Sequence, residues 1–167
     1  MRKIARNKLR RRYPVSTPGL VAQGEFVVRG GGRLRAKVLV FEKPRHLQRF
    51  FADVLRRPLG GRCLGAVTSM GTSFERVGSD GKTEVVRLEV DRRCFCLIGL
   101  CRGHLTMRIL SHEAVHAGFC HARRCGKTHW DAQALAFDEE AVAYPAGEIA
   151  RELVVFLERV GILEKQP

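Results

Sequence analysis

Leu105 to Phe119 read LTMRILSHEAVHAGF, and the spacing of the large residues in this stretch decides how the rest of the chain is organised. Leu105, Ile109, His112, His116 and Phe119 recur at steps of four, three, four and three, the spacing of one stripe along an α-helix. We expect that stripe, and both histidines with it, to face the interior. Residues 112 to 116 form His112-Glu113-Ala114-Val115-His116, an HExxH pattern. At 3.6 residues per turn the two imidazoles stand about 40° apart around the helix and one turn apart along it. Both rings then reach a single ion about 2.0 Å from each nitrogen, which suits zinc. Glu113 lies one step round from His112, where a carboxylate can approach a water on such an ion as general base without ligating the ion itself. The small residues Ala114, Ala117 and Gly118 allow a second helix to come close.

Upstream, the period is that of strands. The apolar run CFCLIGL at residues 94–100 reads as one strand, and Glu84 to Val90 alternates as another. Val77 to Lys82 (VGSDGK) supplies Gly and Asp for a turn, and residues 63 to 76 form a further candidate strand. Leu34 to Phe41 (LRAKVLVF) is rich in β-branched and apolar residues. After Pro44, Leu47, Phe50, Phe51, Val54 and Leu55 fall at helical spacing. Pro14 to Gly32, with two prolines and the triplet Gly30-Gly31-Gly32, reads as a linker, so the folded body is expected to begin near Arg33. Downstream, Val142, Ala146, Ile149, Leu153, Phe156 and Val160 predict a long helix from about Asp138 to Val160. Pro145 should kink it near Tyr144 or delay its start to that point. The fold class is α+β: a short mixed β-sheet packed against the helix carrying HExxH and a long C-terminal helix.

The 167 residues suit one domain, residues 33–167, preceded by a basic arm and linker at 1–32. Lys and Arg number 30 against 17 acids, a net charge of +13, and 45% of residues are hydrophobic, which excludes an acidic disordered chain. No run of 18 apolar residues exists and no secretory signal is evident, so the expected location is the cytoplasm, with no membrane partner. Residues 2 to 12 (RKIARNKLRRR) carry seven basic side chains and no acid. Such a tail can neutralise nucleic-acid phosphates without reading sequence. Charge runs also serve solubility alone. Cys63, Cys94, Cys96, Cys101, Cys120 and Cys125 lack a C-x2-C knuckle and are read as reduced, mostly buried thiols rather than a structural zinc site.

A catalytic zinc takes three protein ligands and leaves a position for water. His121 follows His116 one residue too early for the extended pattern HExxHxxGxxH of the metzincins, and on a continued helix it points about 180° from His112. His129 is a weaker candidate. The motifs SHEAVHAGF (Ser111 to Phe119) and DEEAVAY (Asp138 to Tyr144) resemble those of the gluzincins, closest to compact ImmA/IrrE-type or minimal zincin domains of bacteria and phages. That resemblance covers about residues 105 to 156 and implies a zincin-like domain that hydrolyses peptide bonds in a protein or peptide substrate. It implies zinc held by His112, His116 and the Glu of a Glu-Ala pair, Glu140. Helical phasing instead puts Glu139 in line with Ala143, Ala146, Gly147 and Ala150, a face suited to packing on Ala114 and Gly118, so both glutamates stand as ligand candidates. Val142 occupies the position where those domains usually have Asn. Tyr144, one turn beyond Glu140, is a candidate donor to an oxyanion. In such folds an edge strand before the zinc helix pairs with extended substrate, a part for which residues 94 to 100 are the candidate.

Overall fold

The computed structural model describes residues 17–29, 33–55, 58–60, 63–70, 93–126 and 139–163, and the backbone of 73–77 and 83–87. The strands are β1 (Leu20–Val28), β2 (Leu34–Phe41), β3 (Gly65–Ser69), β4 (Ser73–Val77), β5 (Thr83–Arg87) and β6 (Cys94–Cys101). The helices are α1 (Pro44–Leu55), α2 (Met107–Arg124) and α3 (Glu140–Arg159), with one 3-10 turn at Arg102–His104. The molecule is thus α+β.

Four strands form one mixed sheet in the order β1-β2-β6-β3, and β4 and β5 pair with each other antiparallel. β2 and β6 run parallel, with Val38 opposite Ile98 and Val40 opposite Leu100. β1 and β3 flank them antiparallel. The near-continuous apolar runs of β2 and β6 explain their central place, because strands covered on both faces need no polar side. Every residue of β6 is buried.

One face of the sheet presents Val38, Val40, Ile98 and Leu100 to Leu110, Ala114 and Ala117 of α2 and to Ile149, Leu153 and Leu157 of α3. The other face presents Leu39, Phe41, Ala66 and Leu97 to Leu47 and Phe51 of α1. Gly99 is required there, since a Cβ would meet the Phe51 ring.

Five expectations are corrected. Leu20–Val28, read as part of a linker, is a strand paired with β2 over its whole length. Its alternation is weak, and Gly24 within it looks like a breaker, but a Cβ at that position would meet the Phe156 ring. Residues 63–76 are two strands in different sheets rather than one. β6 is central, hydrogen-bonded on both sides, so the edge next to α2 belongs to β3. α3 runs unbroken through Pro145 from Glu140, with the proline ring buried in its second turn. Finally, the interior side of α2 is Leu110, Glu113, Ala114, Ala117, Gly118, His121 and Ala122, whereas His112, His116 and Phe119 are exposed. Small residues won that face. Gly118 sits so near α3 that a Cβ would stand 2.9 Å from the Val142 carbonyl oxygen and 3.1 Å from the Ala146 Cβ. The backbones therefore approach along the Ala/Gly stripe, which turns His112, His116 and Phe119 outward and leaves Leu105 and Ile109 half-buried at the margin of the core.

Candidate metal centre

Thr106 opens α2 as N-cap, its hydroxyl accepting the Ile109 N–H at 3.3 Å. The helix then projects His112 and His116 outward one turn apart, with their Nε2 atoms 3.1 Å from each other and their rings edge to face at 85°. Two nitrogens at that separation, each about 2.05 Å from a common ion, subtend an angle of about 100° at it, near the tetrahedral value. The pair is therefore convergent and fits the bite of a zinc ion. Burial and then the neighbouring His112 charge hold His116 below the ordinary imidazole value, which favours the neutral ring that a metal requires.

Glu113, about 60–100° round the helix from the two histidines, lies on the buried side of α2 in the seam with β3 and is only 5% exposed. Gly65 faces it so closely that a Cβ at position 65 would overlap the carboxylate. Burial pushes the Glu113 carboxyl up to about 7, the range in which a group both takes and returns protons at neutral pH. Cys63 stands nearby: its thiol donates to the Gly65 carbonyl at 2.6 Å, and burial followed by the charge of Glu113 raises it. The sequence marks Cys63 only as one of six reduced thiols and does not mark Gly65 at all. A glycine inside a strand, which marks a close approach, was the available signal.

No family model, curated protein or solved structure matches this chain.

The remaining candidates lie as follows. Glu139 and Glu140 are exposed at the start of α3, and Tyr144 is 77% exposed on the same helix. Among the described residues no three His, Cys, Asp or Glu side chains come together as a metal-holding group, so neither glutamate joins the histidine pair. His121 is buried, 2% exposed, with its ring edge-on to Phe95 at 5.1 Å and near Cys125, away from His112. His129, Asp138 and the basic residues 2–12 lie outside the described residues. All six cysteines are free thiols, and Cys94, Cys96 and Cys101 are buried. No described helix is long and apolar enough to cross a membrane.

Proposed function

We propose that this chain is a zinc-dependent, zincin-like metallopeptidase that hydrolyses peptide bonds in a protein or peptide. The observation that carries the reading is the 3.1 Å convergence of the His112 and His116 Nε2 atoms beside a buried carboxylate whose pKa lies near neutrality. His112 and His116 would hold the ion; neither Glu140 nor Glu139 stands with them in the folded structure, so the third ligand rests on the resemblance alone, which favours Glu140, with Glu139 one residue away as its competitor. Bound there, zinc supplies Lewis acidity toward a carbonyl and lowers the pKa of water to about 7.

The chain's own residues do the rest. Glu113 takes a proton from the attacking water and delivers it to the leaving amine, a double duty that a carboxyl near 7 performs in both directions. Among the described residues β3 pairs only with β6, so its outer edge is the candidate to take an extended peptide as an added strand, beside Glu113. Tyr144 is the candidate donor to the oxyanion.

The test is metal content with stoichiometry, together with peptide turnover. The native chain should hold one zinc. His116→Ala should lose it, and Glu113→Gln should keep it while turnover falls by at least a hundredfold. Glu140→Gln should weaken zinc binding more than Glu139→Gln does. Full turnover by the Glu113→Gln protein would remove the mechanism, and a native chain that takes up no zinc would remove the site.

A further inference from the structure

The parallel strands β2 and β6 end side by side, Phe41 opposite Cys101. From there the chain leaves in opposite directions, to α1 on one face of the sheet and to α2 on the other. Adjacent parallel strands whose following helices part in this way open a crevice at their carboxyl ends, the place where open α/β sheets take ligands. Here that end of the sheet is rimmed by cations. Residues 42–49 and 102–109 carry Lys43, Arg45, Arg49, Arg102 and Arg108, all exposed, against the single acid Glu42.

Glu42 is taken up by Arg102 at 3.5 Å, and its backbone carbonyl lies against the Cys101 thiol, which fastens the two loops together. Lys43, Arg45, Arg49 and Arg108 have no ion-pair partner among the described residues. Neither α1 nor α2 has an acid in its first turn, so the positive helix ends add to the same field. Gly103, in the turn that leads from β6 to α2, faces open space. The opposite sign gathers on α3 and the residue before it, where Glu139, Glu140, Glu148, Glu152 and Glu158 outnumber Arg151 and Arg159.

We propose that this rim at the carboxyl ends of β2 and β6 is a nucleic-acid-binding surface that grips the phosphate backbone through Arg45, Arg49, Arg108 and Lys43. Four of the five cations are arginines, whose planar fork matches phosphate oxygens in pairs. Contacts of this kind carry affinity without reading bases. The surface uses none of the basic residues 2–12 and does not depend on zinc chemistry. Arg108 precedes His112 by about one turn of α2 on its exposed side, so a strand held on the rim passes beside the histidine pair.

The experiment titrates a fluorescein-labelled 20-base-pair duplex of arbitrary sequence with the full chain across salt concentrations. The triple variant Arg45→Gln/Arg49→Gln/Arg108→Gln is compared with Arg33→Gln/Arg123→Gln, which removes two exposed arginines from the other end of the sheet. Each phosphate contact contributes about 0.9 to the slope of log K against log salt. The triple variant should lose two to three from that slope and bind at least tenfold more weakly at about 0.1 M salt. The opposite-end variant should keep the native slope. Equal losses in both variants would show diffuse charge attraction and overturn the proposal, as would a triple variant with the native slope. It would also fall if the triple variant lost binding to polyglutamate while keeping the duplex, because the rim would then be a site for acidic peptides. Should the triple variant unfold, Arg49→Gln alone should lower the slope by about one, and no change in it would count against the rim.

Discussion

Glu113 is the residue on which stability and chemistry conflict. Its carboxyl stands near 7 when folded against an ordinary value of 4.5, so the folded protein binds the extra proton between those limits. The stability associated with that proton is complete below about pH 4.5 and is lost as the pH rises through about 7. The difference is at most about 3 kcal/mol, less where water reaches the carboxylate. His116, held low, acts in the opposite sense by resisting protonation in the folded state, so the native curve contains both effects. Glu113→Gln isolates the first. The metal-free variant should unfold at a higher temperature than the native chain at pH 8 and at nearly the same temperature at pH 4.5, as read by calorimetry. Gly65→Ala would place a methyl group on the carboxylate. It should cost about 1–3 kcal/mol in urea unfolding and reduce the difference between pH 4.5 and pH 8 by driving Glu113 toward water. The motif was legible as an HExxH from types and spacing alone. That its carboxylate is buried under a strand glycine was not, because Gly65 lies 48 positions upstream and nothing local links the two.

Among the elements, the α2–α3 seam shows how packing overruled the pattern of large residues. Weighting the large residues gave a stripe rotated from the buried one: Leu105 and Ile109 reach the core, but His112, His116 and Phe119 are exposed. The closest approach was instead set by Gly118, which sits 2.9 Å, by its would-be Cβ, from a backbone oxygen that cannot move aside. Two glycines in these helices should therefore respond oppositely to alanine. Gly147 faces open space, and Gly147→Ala should stabilise by about 0.5–1 kcal/mol through helix propensity. Gly118→Ala has the same propensity gain available but must push α3 away, and should destabilise by about 1–2 kcal/mol net. Chemical denaturation of the two variants side by side gives the sign directly. The same seam accounts for Pro145. Its buried ring is held in a helix whose Val142, Ala146, Ile149 and Leu153 are anchored in the core, so tertiary contact outweighs the lost hydrogen bond of about 3 kcal/mol.

For the molecule as one body, the N-terminal boundary matters most. A chain begun at Arg33 would leave the β2 edge unpaired and uncover the sheet face on which Phe26 and Val28 pack. Such a chain should aggregate or unfold without a cooperative transition, as judged by size exclusion and calorimetry. Composition and periodicity were enough for the α+β class, for the existence of strands β2 and β6, though not the central place of β6, for the long helices and for two imidazoles one turn apart, because each of these rests on residues within a few positions of one another. Four things awaited the assembled chain: that β1 belongs to the sheet, that β3 forms the edge over Glu113, which side of α2 is buried, and that β2 and β6 bring their cationic ends together. The last three depend on contacts across tens of residues, and β1, though it pairs with the next strand, has too weak an alternation of its own to declare itself; in each case backbone hydrogen bonding and close packing act between segments whose individual patterns are silent about each other.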